Sequence, residues 1–193
     1  MQSHLFTIDT ALLTKRTVVR RFRENEGKQL FQLVRTNHDR LIDYFPITVE
    51  KNKSEYDSEV FLRQKIADWL LQKEYCFGVW DHDSAKLIGL IRLFNIKWRF
   101  PEAELNYFID RPFGEKGIMT ESTFAVVQFA FRQLKMEKLY VRTAMDNYSS
   151  QRLARKCGFR REGDLRAAYK RPTGVLEDMM LMGLTVEDFE NNR

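Results

Sequence analysis

Hydrophobic and polar positions change period several times along the chain, and each change marks an element. Val18, Val19 and Phe22 alternate weakly with Thr17, Arg20 and Arg21, which predicts an opening strand over 17–22. From 24 to 44, Leu30, Phe31, Val34, Leu41 and Ile42 recur at mixed helical spacing up to Tyr44-Phe45-Pro46. One helix, or two short ones, should fill that stretch and stop at the proline, whose ring clashes with a preceding helical turn. A second helical region is expected over 54–73, where Val60, Phe61, Ile66, Trp69 and Leu70 recur at threes, fours and fives. Glu55 and Asp57 near its start suit the positive end of a helix dipole.

Two apolar runs follow, 75–80 and 87–94, separated by Asp81-His82-Asp83-Ser84, the pattern of a hairpin. After Trp98-Arg99-Phe100-Pro101, residues 103–109 read as another strand. The stretch 118–134 is helical and apolar nearly all round, through Phe124, Val126, Val127, Phe129 and Phe131, so it should be buried on more than one side. A strand over 139–143, a short helix over 149–156, a strand beginning at Gly158-Phe159 and a closing strand over 175–184 complete the order. No fixed-period repeat and no linker interrupts it, which predicts a single mixed α+β domain over 1–193.

Composition narrows the class without naming a chemistry. The 193 residues are 44% apolar and 31% charged, enough to bury a core. The net charge of +5 favours anionic partners, but acidic residues lie among the basic ones along the whole chain, so direct nucleic-acid binding is not expected. Cys76 and Cys157 are too few for a disulfide framework, which makes a reduced, cytoplasmic setting the expectation. No apolar run reaches membrane-spanning length, and no metal is expected because His4, His38 and His82 show no ligand spacing.

Candidate chemistry begins at Arg111-Pro112-Phe113-Gly114-Glu115-Lys116-Gly117-Ile118-Met119-Thr120, which ends one strand and opens the apolar helix. The first N–H groups of a helix have no intrahelical partners, glycines let a ligand approach closely, and the dipole adds positive potential. A phosphate or pyrophosphate would fit, but so would a plain turn. Neither the Gly-x-x-x-x-Gly-Lys-Ser/Thr of a Walker loop nor the Gly-x-Gly-x-x-Gly of a dinucleotide fold is present.

A second stretch, Asn147-Tyr148-Ser149-Ser150-Gln151-Arg152 running on to Lys156-Cys157-Gly158-Phe159, sharpens the picture. Together with the loop and the strand Glu104-Leu105-Asn106-Tyr107-Phe108-Ile109-Asp110, it resembles the GNAT superfamily of acetyl-CoA-dependent N-acetyltransferases. Within that family it is most similar to the branch of ribosomal-protein alanine and serine N-terminal acetyltransferases. The resemblance, from about Arg16 to Leu184, implies a mostly antiparallel twisted sheet of about seven strands, helices on both faces and a splay between the fourth and fifth strands. It implies acetyl-CoA as cosubstrate, held by Tyr107, Phe108 and Ile109 of the strand, by Gly114, Glu115, Lys116, Gly117, Ile118, Met119 and Thr120 of the loop, and by Asn147 and Arg152. Gly114 stands where the family usually has Gln or Arg, and Met119 where it has Gly or Ala.

Acetyl transfer from a thioester to an amine needs a neutral amine, a stabilised oxyanion and a proton for the thiolate. Glu104, on the strand beside the expected acetyl site, is the candidate base; a solvated carboxylate on the strand's polar face is the other reading. Ser150, three residues after Asn147, is the candidate proton donor, while Ser149 and Ser150 could instead simply cap the short helix. Many family members carry a tyrosine at the place of Ala154, and the ribosomal branch can carry a glutamate where this chain has Arg166-Ala167-Ala168-Tyr169. Cys157, without a histidine partner, reads as a packing residue.

The functional expectation is direct acetyl transfer to a primary amine, such as a protein N-terminal α-amine. A small-amine acetyltransferase acting on a polyamine, antibiotic or amino acid, and a non-catalytic acyl-CoA-binding module, are the alternatives. The assembly is expected to be a monomer or a homodimer.

Overall fold

The structure is a computed structural model and describes residues 11–191; His4 and the outer ends of the expected 1–193 domain lie outside the described residues. In chain order the elements are β1 (Ala11–Leu13), β2 (Thr17–Arg21), α1 (Gly27–Thr36), α2 (His38–Tyr44), α3 (Pro46–Glu50) and α4 (Glu55–Leu70). There follow β3 (Tyr75–Asp81), β4 (Leu87–Lys97), β5 (Glu102–Ile109), a 3-10 turn at Arg111–Phe113, and α5 (Ile118–Arg132). The chain continues through β6 (Lys138–Ala144), α6 (Tyr148–Lys156), β7 (Arg160–Lys170), β8 (Leu176–Thr185) and α7 (Val186–Asn191).

The strands form one sheet of order β1-β2-β3-β4-β5-β6-β8-β7, in which β5–β6 is the one parallel pair and the rest are antiparallel. The α+β expectation therefore holds, with eight strands among the described residues where about seven were expected. The addition is β1, three residues too short to show a period, so the splay expected between strands four and five falls between β5 and β6.

Side-chain alternation divides the strands between two cores. Tyr75, Phe77, Val79, Leu105 and Tyr107 face α5, α6 and the end of α4. Cys76, Trp80, Leu90 and Phe108 face α1, α2 and α3. On the first face, Phe129 of α5 meets Trp69, Tyr75 and Phe77 with ring centroids 6.3, 5.8 and 5.4 Å away, an aromatic cluster of which each buried ring is worth about 1.5–3 kcal/mol. Helix α5 is buried on several sides as expected; Phe124 is the exception, 39% exposed and tilted against Phe189.

The stretch read as one or two helices over 24–44 is two, divided at Asn37. Its buried amide donates to the carbonyl of Leu33 at 2.9 Å, an i−4 bond that competes with the backbone ladder. Pro46 departs from the expectation of a stop alone, because it also starts α3. At the first helical position a missing N–H costs nothing and the fixed φ suits the helix. Helix α4 begins on Ser54, whose hydroxyl accepts the Asp57 N–H at 3.1 Å. It lies so close to α1 that a Cβ on Gly27 would come within 2.5 Å of the Glu59 nitrogen. Glu59 uses that closeness: its carboxylate accepts the N–H groups of Asn25 and Gly27 at 2.9 and 3.0 Å.

Candidate active site

Strands β5 and β6 are in register at Glu102 with Lys138, Ala103 with Leu139 and Glu104 with Tyr140, and then part. Among the described residues the β6 side of β5 carries no strand partner from Leu105 to Ile109, although β4 pairs with its other edge throughout. An unpaired strand edge presents amide donors and acceptors in a row, suited to an extended, amide-bearing ligand. Two buried polar atoms on the diverging strands, Asn106 Oδ1 of β5 and Thr143 Oγ1 of β6, have no hydrogen-bond partner among the described residues. By strand parity they point to opposite faces, Asn106 to the face of Glu104 and Phe108, Thr143 to the face of Leu139 and Val141.

Glu104 sits at the last paired position and is buried, not solvated. Arg142 of β6 grips it as a fork, Nε 2.8 Å from Oε1 and Nη2 2.9 Å from Oε2. Asn95, at a positive-φ bulge of β4, adds a bond to Oε2 at 2.8 Å. By strand parity Glu104 shares a face with Phe108. Ser150 lies toward the opposite face, beside Tyr107. The Tyr107 hydroxyl donates to the Ser150 carbonyl at 3.0 Å and lies 3.2 Å from its Oγ. Burial pushes the Tyr107 phenol well above its usual range despite the opposing pull of the Ser150 bond, so it stays a neutral hydroxyl.

Neither Ser149 nor Ser150 caps α6. Asn147 is the N-cap, its Oδ1 accepting the Ser150 N–H at 3.1 Å and the Ser149 hydroxyl at 3.0 Å. That leaves the Ser150 Oγ free of capping duty. Arg152 projects exposed from the same helix.

The loop expected to seat a pyrophosphate runs from the 3-10 turn into α5. Gly117 is its N-cap at φ 75, and among the described residues no side chain caps the helix. The N–H groups of Ile118, Met119 and Thr120 therefore open the helix without intrahelical partners. Glu115 also has a positive φ, 59, a conformation that non-glycine residues adopt at a cost. Gly114 is extended, and Lys116 extends its ammonium to 6.0 Å from the Phe113 ring, exposed to solvent.

Ile118 and Met119 bury their side chains, and so does Phe108, which packs edge-on against Phe45 at 5.3 Å. Any ligand contact from Phe108 is thus a backbone contact. The carbonyl of Ile109 accepts a bond from Arg40 of α2. Cys157 is buried with its thiol pushed up to about 12 by desolvation and its Sγ 3.6 Å from the Thr120 carbonyl, a packing residue as the sequence indicated.

Several neighbours of the site carried no signal in the sequence. Arg142 lies in an ordinary strand, and only the β5–β6 register brings it to Glu104. Asn37 bonds Asp110 at 2.7 Å and accepts the Arg111 N–H at 3.1 Å, tying the α1–α2 junction to the end of β5. Arg171, just past β7, pairs with Asp146 at 3.3 Å and Glu177 at 2.7 Å, while Tyr169 donates to the Asp43 carbonyl at 2.5 Å. An open, net-acidic rim thereby joins α2 to the β7–β8 hairpin. A separate apolar groove of about 460 Å³ between α1, α2 and α3 is lined by His38 and Ile42. Those two lie on the side of α2 away from Arg40 and Tyr44, so the groove is apart from the splay.

A splayed parallel pair, an uncapped glycine-led helix start and a hydroxyl on the following helix lie together in the fold, and residues 16–160 match the family model "Acetyltransferase (GNAT) domain". The chain belongs to the GNAT acetyltransferases and is an acetyl-CoA-dependent N-acetyltransferase.

Among individual proteins it is 35% identical over 119 residues to the Bacillus subtilis protein named "Probable N-acetyltransferase YjcK", a match covering 61% of this chain and 65% of that one. Its fold matches the ribosomal-protein-S5-alanine acetyltransferase from Vibrio fischeri at TM-score 0.86 and 19% identity, over 94% of this chain and 99% of that one. It also matches the microcin C7 self-immunity acetyltransferase MccE, solved with acetyl-CoA and AMP, at TM-score 0.80 and 21% identity, over 90% and 94% of the two chains.

Among the described residues no group of three His, Cys, Asp or Glu side chains could hold a metal, and no helix is long and apolar enough to cross a membrane.

Proposed function

We propose that this chain, working as one domain in the cytoplasm, transfers acetyl from acetyl-CoA directly to a protein N-terminal α-amine. The observation that carries the reading is the placement of Glu104 and Ser150 toward opposite faces of the sheet, where β5 and β6 part. On the Glu104 face the amine gives up its proton. On the Ser150 face the departing thiolate needs one.

The amine nitrogen attacks the thioester carbonyl, a C–N bond forms and the C–S bond breaks. Glu104, through an ordered water, receives the ammonium proton, and the Ser150 hydroxyl gives its proton to the departing thiolate and regains one from bulk water, with Tyr107 holding Ser150 in place. The tetrahedral oxyanion finds donors at the unpaired edge of β5, and the helix start from Gly117 to Thr120 receives the pyrophosphate, beside Asn147 and Arg152.

An α-amine suits this modest machinery. With a pKa near 8 it is roughly a tenth neutral at pH 7, whereas a lysine is neutral only about a few times in ten thousand. The rim of Asp43, Asp146 and Glu177 around Arg171 attracts a cation yet is open, with Asp146 62% exposed, which favours a chain terminus over an enclosed small amine. The similarity of fold to a ribosomal-protein acetyltransferase points the same way.

Thiol release and product mass should be followed against peptides with free and blocked N-termini and a panel of small amines. Acetylation at the free α-amine alone is expected. Preference for a polyamine or antibiotic would replace the acceptor assignment, and tight CoA binding without turnover on any amine would replace catalysis with binding.

A further inference from the structure

The proposed pyrophosphate seat has a weakness: the peptide between Lys116 and Gly117 adjoins a glycine in the left-handed region, where a glycine backbone rotates at little cost. If that peptide flips, the Gly117 N–H turns away from an anion. Something outside the loop has to fix it.

Arg16, in the turn between β1 and β2, makes the contacts that do so. Its Nη1 donates to the Lys116 carbonyl at 2.8 Å, its Nε to Glu121 Oε2 at 2.9 Å, and its own backbone N–H to Glu121 Oε1 at 3.0 Å. Nη2 completes the fork at 2.8 Å from Oε2. Beneath it, Thr17 Oγ1 and Ser122 Oγ share a buried bond at 2.8 Å, and the Arg16 carbonyl accepts the His82 N–H at 2.9 Å. One guanidinium thus joins the β1–β2 turn, the loop carbonyl and the first turn of α5.

We propose that Arg16 is a positioning residue for the cosubstrate's pyrophosphate. The inference rests on the loop being that seat, as set out above. In a trans peptide the C=O and N–H point in opposite directions. Holding the Lys116 carbonyl toward Arg16 therefore aims the Gly117 N–H to the other side, and selects one of two orientations the glycine would otherwise share.

The second contribution is charge. Glu121 stands in the first turn of α5, where a free carboxylate would repel a phosphate. Burial alone would push this carboxyl up, but the hydrogen bonds from Thr14 and Arg16 and the Arg16 charge outweigh it and hold it below the ordinary range. Arg16 thus covers an anion that has to stay charged beside another anion's seat.

The test compares two donors, acetyl-CoA and acetyl-pantetheine, which carries the thioester but no pyrophosphate. In Arg16→Ala the KM for acetyl-CoA should rise about tenfold or more with kcat nearly unchanged, the size expected for losing charge-assisted bonds. The kinetics with acetyl-pantetheine should not change. Arg16→Lys should recover part of the loss, because one ammonium cannot hold the Lys116 carbonyl and both Glu121 contacts together.

If Arg16→Ala does not fold, Arg16→Lys carries the test, with a smaller rise for acetyl-CoA and none for acetyl-pantetheine. Equal losses with both donors would mark Arg16 as structural only and overturn the inference. A wild-type protein that favours acetyl-CoA, and keeps that preference undiminished without Arg16, overturns it while leaving the seat standing. A wild-type protein using both donors equally well overturns the seat and the inference together.

Discussion

Arg142, two residues beyond the last paired position of β6, reaches back to Glu104 of β5, with two hydrogen bonds of 2.8 and 2.9 Å lacing the strands where they begin to part. The pair fixes the mouth of the splay and, in the proposed mechanism, orients the base.

Glu104→Gln keeps the shape and an oxygen for Arg142 but cannot take a proton. We expect kcat to fall by roughly a hundredfold or more, with the KM for acetyl-CoA little changed. Steady-state kinetics from pH 6 to 9 check this, and unchanged kcat would remove Glu104 from proton transfer. Arg142→Ala strands a buried carboxylate and should destabilise the fold by about 1–3 kcal/mol in denaturant unfolding, less than for a fully buried pair because the Arg142 side chain is 38% exposed.

Ser150→Ala separates catalysis from capping. Asn147 caps α6, so the melting temperature should hardly move while kcat drops. Asn147→Ala should instead cost about 1 kcal/mol of stability. If Ser150→Ala lowers the melting temperature as much as Asn147→Ala, the serine is structural.

Tyr107→Phe removes the hydroxyl that meets Ser150 and leaves the ring in its core. A loss near 1 kcal/mol and a smaller fall in kcat than in Ser150→Ala are expected. Equal falls would give the two hydroxyls a joint role in delivering the proton.

Cys157 should resist alkylation. Burial pushes its thiol up to about 12, so it remains protonated at pH 8 and lacks the reactive thiolate. Cys76 is held the same way, so mass spectrometry after native iodoacetamide treatment should show an unmodified chain. Rapid labelling of Cys157 with loss of activity would reopen a catalytic reading of that residue.

Glu59 should give an acid-side dependence of stability. Burial would raise its pKa, but the N–H groups of Asn25 and Gly27 and the Arg63 side chain outweigh that and lower it. A folded-state pKa below the unfolded one stabilises above the unfolded value, near pH 4, and is lost as pH falls through the folded value. Glu59→Gln should therefore lower the melting temperature more at pH 7 than at pH 3. An equal difference at both would show that the carboxylate's charge plays no part.

Local patterns in the chain determined more than its secondary structure. The period of α5, the hairpin of β3 and β4, and the two short motifs around Gly117 and Asn147 follow from residue type and spacing, because they depend on neighbours a few positions away. The tertiary structure alone decided who meets whom across long separations. Arg142 reaches Glu104 through a parallel register, Tyr107 reaches Ser150 across the splay, and Arg16 reaches Lys116 from a turn at the far end of the sheet. Periodicity says which face a side chain takes, but not which partner the sheet order sets opposite it. The sequence left the Ser150 hydroxyl open between proton donor and helix cap, whereas in the fold Asn147 takes the cap and the Ser150 Oγ lies 3.2 Å from the Tyr107 hydroxyl.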